Sequence, residues 1–238
     1  RIFENMRGPE DVAVYRADDR RCAAAVDASA ARQVPFGPTP DVLAYWSTRS
    51  LPVLGLHNVL NAEAAALLAE ADGIPRDVAA DALTSYRPLP HRMELVLDDP
   101  RTGVRWINDS KATNPHAAAT GLSSVAGERE GAMFLIAGGV DKGLSLAPLV
   151  AAARNARVER AWCFGAIADR LAATLDGPVA EVATVGTLAE AVAGAQATAE
   201  RGATVVLAPA CSSFDQFESY AHRGEVFRAL VRGASPAG

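Results

Sequence analysis

The sequence predicts an α/β protein in which a shorter, helix-rich segment precedes a Rossmann-like, mostly parallel doubly wound sheet. Three observations carry that expectation. The strand-like runs Ala132–Ala137, Ala161–Phe164, Ala180–Val185 and Thr204–Ala208 are each followed by a helical stretch of about ten or more residues, the βα alternation of a parallel sheet. Just before this series, "RMELVLDD" and "VRWINDS" flank "PRTG" as a hairpin. Earlier still, "RPLPHR" contains Pro88 and Pro90, which bias the preceding residues to extended backbone and suit a linker. The boundary falls near Arg87, giving domains 1–86 and 87–238.

Each element has its own local reason. Val12–Tyr15 reads as a strand only a few residues after Arg1, and with no initiator Met the sequence is expected to be cut from a longer one. "HNVLNAEAAALLAEADG" is rich in Ala, Leu and Glu and forms a helix, with Gly73 as its C′ residue. Ile74-Pro75 then opens the next helix, "RDVAADALTSY". Beyond the βα series, a last helical stretch runs to Arg232 and dissolves into "GASPAG".

Bulk properties narrow the function. With 238 residues, 50% of them hydrophobic, the chain can fill one large or two modest cores. A net charge of −5 and the lack of any Lys/Arg run argue against nucleic acid as the main partner, so an anionic ligand must be held by local donors. Cys22, Cys163 and Cys211 are too scattered for a disulfide framework or a metal cluster and read as reduced thiols, which fits a cytoplasmic protein. Nothing resembles a signal peptide, and no apolar run approaches the ~18 residues of a spanning helix.

In open α/β sheets ligands bind outside the carboxyl ends of the strands. Those ends here deliver "NDSKATN" (Asn108–Asn114), "GGVDKG" (Gly138–Gly143), "FGA" (Phe164–Ala166) and "APACSSFDQF" (Ala208–Phe217). Singly, each has a plain explanation. "GGVDKG" is an ordinary turn without GxGxxG spacing, and the Ser-Ser-Phe-Asp step is an ordinary helix N-cap. Asn114 as N-cap with Pro115 at N1 accounts for two residues but leaves Asp109, Ser110, Lys111 and Thr113 unexplained. Three such turns on one edge point to a ligand site.

The residues also carry a resemblance. "GLHNVLN", "LPHRME", "INDSKATN", "GGVDKG" and "PACSSFDQFESYAHRGEVF" resemble, in order and spacing, the Mur ligase family, and "NDSKATN" and "PACSSFDQF" resemble its D-glutamate-adding branch. The resemblance implies that 87–238 is the C-terminal ligase domain and 1–86 the closing part of the central ATPase domain. It implies an ATP- and Mg2+-dependent ligase of peptidoglycan synthesis that joins D-glutamate to UDP-N-acetylmuramoyl-L-alanine through an acyl phosphate. Such an enzyme would be cytoplasmic and monomeric, with small-molecule substrates and neither nucleic acid nor membrane as partner.

Residue by residue, Asn58 and Asn61 match the pair lying against the nucleotide. Arg92 matches the arginine that reaches ATP, and Asp109 the acid that holds the ribose hydroxyls. Lys111 and Thr113 would face the reacting groups, with Thr113 also near D-glutamate. Lys142, Ser213, the Phe214 backbone and Tyr220 match the D-glutamate clamp, Ser213 at the expected start of a helix whose N–H groups would help hold a carboxylate. His91 is expected to orient its neighbour rather than act as a base; His57, His116, His222 and the buried Cys211 receive no role.

The departures matter too. No GxxxxGK[ST] phosphate loop occurs in the sequence; in the family that loop, a histidine and a carbamylated lysine near the second magnesium all lie upstream, so this segment is expected to be inactive alone. "APACSS" replaces the commoner "SPACAS", and Tyr220 stands where phenylalanine is usual. The alternatives are a folylpolyglutamate synthase-like ligase or a non-catalytic Rossmann-like module that binds an amino acid or nucleotide.

Overall fold

In the computed structural model, which describes residues 2–52, 55–127 and 131–233, the chain divides into two units, Arg1–Arg87 and Pro88–Gly238. The first contains β1 (Val12–Arg16), α1 (Arg20–Asp27), β2 (Arg32–Phe36), α2 (Pro40–Ser47), α3 (Leu56–Ala71) and α4 (Arg76–Thr84). β1 is the expected strand. Its parallel partner β2 pairs Tyr15 with Pro35, a proline that a ribbon edge tolerates because its missing N–H can face away from the partner. Gly73 ends α3 as expected: its φ is +87°, its N–H donates to Glu70 O (3.0 Å), and Ile74 N–H donates to Ala69 O (2.9 Å), the paired bonds of a Schellman cap. Trp46, Ala62, Ala66 and Ala80 form a small core between α2, α3 and α4. There the Trp46 indole N–H donates to the buried Glu63 carboxylate at 2.8 Å, which Arg76 also grips at 2.7 Å.

The second unit opens with the antiparallel hairpin β3 (Glu94–Asp98) and β4 (Arg105–Asn108), then alternates α5 (Pro115–Ala126), β5 (Met133–Gly138), α6 (Ala147–Asn155), β6 (Val158–Phe164), α7 (Ala168–Leu175), β7 (Glu181–Val185), α8 (Leu188–Thr198), β8 (Thr204–Ala210) and α9 (Tyr220–Arg232). The six strands lie in the order β3-β4-β8-β5-β6-β7; all pairs but β3 with β4 are parallel. Thus the sheet is mostly parallel, as the alternation predicts. Strands β5 and β8 are buried along their whole length, which fits their unbroken apolar runs and central positions. Alternate residues Trp106, Phe134, Ile136, Trp162, Val205 and Leu207 meet Leu188, Val192, Phe227 and Val231 of α8 and α9 in one core. Period-2 alternation turns Ile107, Leu135 and Val206 to the other face, where α5 and α6 pack together.

Just after the prolines of "RPLPHR", His91 and Met93 take φ of +63° and +46°. The compensation is local, since His91 N–H donates to Glu94 Oε2 (3.0 Å) and Met93 N–H to Asp109 Oδ1 (3.3 Å). One expectation requires correction: no helix begins at Ser213. Ser213–Phe217 makes one closed turn, with Phe217 N–H on Ser213 O at 3.0 Å, and α9 starts at Tyr220 behind Ser219, whose hydroxyl accepts from His222 N–H at 3.0 Å. Asp215 is drawn away by Ala166 N–H (3.0 Å), while Ser219 directly precedes the amphipathic run and makes the better cap. α9 ends at Arg232 before Gly233 at φ +68°; residues 234–238 of "GASPAG" lie outside the described residues.

Candidate functional site

The carboxyl ends of β4, β5 and β8 are adjacent because β8 inserts between the other two, and the turns that follow them touch. Val140 N–H donates to Ser212 O at 2.8 Å and Ser212 N–H to Val140 O at 3.3 Å, stitching the turn after β5 to the turn after β8. Gly139 permits this approach: its φ is +131°, and a Cβ there would lie 1.9 Å from Ser212 O, so no other residue fits. The exposed Lys142, further along that turn, donates from Nζ to Thr113 O at 3.1 Å, linking it to the turn after β4. Asp141 beside it is ion-paired with Arg170. Asn114 caps α5 by accepting from Ala117 N–H at 2.9 Å, with Pro115 at N1, and so fixes where the "NDSKAT" turn ends.

Beneath this edge lies a buried polar layer. Asn108 Oδ1 accepts from Ser110 N–H (3.1 Å), while its amide nitrogen reaches Glu94 Oε2 (3.3 Å) and Gly224 O (3.3 Å). That orientation puts an amide donor 3.0 Å from His91 Nδ1, so Nδ1 accepts and the imidazole proton sits on Nε2, 3.3 Å from Glu225 Oε1. Burial, aided by Arg228, keeps the His91 pKa below its usual value despite the two carboxylates. A neutral imidazole is the result. Its carbonyl accepts from Lys111 N–H at 3.0 Å, so His91 ties the turn carrying Arg92 to the turn carrying Lys111. Asp109, 6% exposed, is pushed up to about 7 by burial, with the Met93 N–H bond and the Arg92 charge opposing the rise. Burial likewise raises the Cys163 thiol to about 12 and Cys211 to about 11, so both are protonated near neutrality.

The family model for the Mur ligase, glutamate ligase domain, matches residues 91–211, just over half of the chain. The chain belongs to the Mur ligase family. Among curated relatives, the UDP-N-acetylmuramoylalanine–D-glutamate ligase of Myxococcus xanthus is 46% identical over 179 residues, 74% of this chain and 37% of that protein. The protein of the same name from Syntrophotalea carbinolica is 36% identical over 250 residues, 98% of this chain and 54% of that protein. The chain thus spans between 37% and 54% of the length of these two relatives. A solved UDP-N-acetylmuramoylalanyl-D-glutamyl-2,6-diaminopimelate–D-alanyl-D-alanyl ligase from Acinetobacter baumannii shares the fold at a TM-score of 0.64 and 19% identity, over 94% of this chain and 52% of its own. A folylpolyglutamate synthase from Thermotoga maritima does so at 0.52 and 22%, over 79% and 41%.

In this Mur ligase chain the sequence-derived candidates divide into three groups. Lys111, Thr113, Lys142, Ser213 and Tyr220 come together at the strand edge: Lys142 meets Thr113, the Lys111 ammonium sits 5.4 Å from the Tyr220 ring centroid, and Ser213, 2% exposed, follows the residue bonded to Val140. Phe214 on the same turn is 73% exposed. Arg92 is exposed and Asp109 buried on neighbouring turns. Asn58 and Asn61 belong to the other unit, one turn apart on α3 with Asn61 Nδ2 3.4 Å from Asn58 Oδ1. Sequence reasoning flagged Asn108 and Ser110 within "NDSKATN" without giving them a role and missed Arg223 and Gly224, all four buried at the edge. Only "HRGE" inside an otherwise amphipathic helix hinted at the last two. Among the described residues no group of three or more His, Cys, Asp or Glu is placed to hold a metal, and no step is assigned to the Mg2+ that the family implies. Among the described residues no helix is long and apolar enough to cross a membrane.

Proposed function

We propose that this chain supplies the D-glutamate-holding part of an ATP-dependent ligase that extends UDP-N-acetylmuramoyl-L-alanine in peptidoglycan synthesis. The observation that carries the reading is the joining of the three turns at one sheet edge, where Lys142 reaches Thr113 O at 3.1 Å beside the Ser213 turn; relatives named as D-glutamate ligases support the choice of amino acid. In the reaction so read, ATP phosphorylates the carboxylate of the nucleotide substrate, giving an acyl phosphate and ADP. The amine of D-glutamate then attacks the acyl carbon, the amide forms, and phosphate and a proton leave. Lys142 and Lys111 supply point charges for carboxylate and phosphoryl oxygens, and the turns hold the amine close to the acyl carbon, which is where such ligation gains most of its rate.

Because Ser213 does not open a helix, no helix dipole aids the clamp there, and the lysines with the turn N–H groups carry the recognition. Arg92 is exposed and free to reach a triphosphate, and Asn58 and Asn61 lie in the first turns of α3, where a nucleotide would meet side-chain amides. Asp109 suits a ribose: a buried carboxylate with one backbone donor gains from hydroxyl donors. We further propose that the protein works in the cytoplasm as a monomer, and that the 238-residue chain does not turn over by itself.

The test is ligation of radiolabelled D-glutamate by the full-length gene product with ATP, Mg2+ and UDP-N-acetylmuramoyl-L-alanine. Formation of the labelled UDP-dipeptide with matching phosphate release is expected. No product with D-glutamate, or equal product with another amino acid, would reject the assignment.

A further inference from the structure

Arg223 is the largest fully buried side chain among the described residues. It lies in the first turns of α9, is 0% exposed, and sends its guanidinium beneath the strand edge. Nε donates to Ser110 Oγ (2.9 Å) and Nη2 to Ser110 O (2.8 Å); Nη1 donates to Cys211 O (3.2 Å) and Gly138 O (3.3 Å). Ser110 begins the turn after β4, Gly138 ends β5, and Cys211 begins the turn after β8. Ser110 Oγ in turn donates to Tyr220 O at 2.7 Å, returning the network to α9.

Every acceptor is neutral, and no carboxylate pairs with Arg223 among the described residues. A buried charge without a counter-ion is expensive, and one ion pair would be the cheaper arrangement if charge burial alone were at stake. Here four hydrogen bonds from one rigid fork are spread over the end of β5 and the turns after β4 and β8. A compact ammonium has neither the reach nor the planarity to do this. Burial pushes the guanidinium down to about 10, still protonated at neutrality, so a fixed positive charge also stands behind the edge.

We propose that Arg223 is a positioning residue: it staples the turns after β4, β5 and β8 so that Lys111, Thr113, Lys142 and Ser213 present one anion-holding surface. Each of those four residues lies within four positions of a backbone or hydroxyl atom that the guanidinium holds. The ligand part rests on the D-glutamate reading above; the staple itself does not.

The experiment compares the 238-residue chain with its Arg223→Lys and Ser110→Ala variants. Amide hydrogen exchange at Lys111, Val140 and Ser212 is measured together with D-glutamate affinity, and amides of β6 and β7 serve as the folding control. In Arg223→Lys the three turn amides are expected to exchange at least tenfold faster while the controls stay within twofold, and D-glutamate is expected to bind at least tenfold more weakly although the charge is kept. Ser110→Ala, which removes the Nε acceptor and the bond to Tyr220 O but leaves the three backbone acceptors of the guanidinium, is expected to shift Lys111 and the start of α9 and to leave Val140 and Ser212 protected; it also decides the question if the lysine variant does not fold. Unchanged exchange in the lysine variant, or faster exchange with D-glutamate affinity unchanged, would overturn the proposal. Failure of the unmodified chain to bind D-glutamate would instead count against the ligand reading, with the exchange data alone deciding the staple.

Discussion

Asp109 offers the sharpest residue-scale test, because its environment is set by burial rather than by an ion pair. Its folded pKa is raised from 3.8 to about 7, so between these values the folded state holds a proton that the unfolded state has lost. Stability therefore falls as pH rises through that window and levels off above it. Asp109→Asn, which keeps an oxygen for Met93 N–H, is expected to stabilise the second unit at pH 8 by on the order of 1–4 kcal/mol and to make little difference at pH 4. Urea unfolding at the two pH values checks this; a pH-independent difference would contradict it. A second residue-scale prediction concerns Lys142. In the full-length enzyme Lys142→Ala is expected to weaken D-glutamate by roughly 1.5–3 kcal/mol, the range of a charge-assisted bond, while hydroxylamine still traps the acyl phosphate. Equal loss of both steps would move Lys142 to phosphoryl transfer. Lys142 and Thr113 were legible in the sequence because strand-end polar residues share an edge. Arg223 was not, since three of its four hydrogen bonds go to backbone carbonyls and carbonyls leave no mark in a sequence.

At the scale of elements, strand and helix type in the second unit followed from pattern, whereas α1, β2 and α2 of the first unit and the start of α9 did not. "SSFDQFES" offers two serine caps, and Ser213 comes first. The choice went to Ser219 because Asp215 is occupied by Ala166 N–H and Ser213 closes a single turn instead. Ser219→Ala is therefore expected to cost about 1 kcal/mol of stability, the usual value of a lost cap, and Ser213→Ala to leave the first turn of α9 intact. Backbone chemical shifts of Tyr220–Arg223 with urea midpoints distinguish the two. Fraying of α9 in the Ser213 variant alone would show that the helix start is misassigned. The left-handed His91 and Met93 were equally hidden, because the proline rule speaks only of the residues before Pro88 and Pro90 and not of a turn pinned by Glu94 and Asp109.

For the whole molecule, alternation along the chain predicts neighbours in a parallel sheet but not that the last strand enters between β4 and β5. The signal was present in composition: "VVLAPA" after Thr204 is apolar without a break, as a strand buried on both faces must be. This insertion creates the site, since it brings the turns after β4, β5 and β8 side by side. The second unit has helices on both faces of its sheet and its own core, so Pro88–Gly238 expressed alone is expected to unfold in one cooperative urea transition with a midpoint close to that of the same unit in the longer chain. A polypeptide that stays unfolded would refute its independence.

The most direct test of the site is a titration of the isotope-labelled 238-residue chain with D-glutamate and with L-glutamate, followed by backbone amide shifts. Saturable shifts confined to Lys111–Thr113, Val140–Gly143 and Ser212–Phe214 are predicted, with D-glutamate binding more tightly than its mirror image. No saturable shift at those turns, or identical curves for the two enantiomers, would contradict the assignment of this strand edge to D-glutamate.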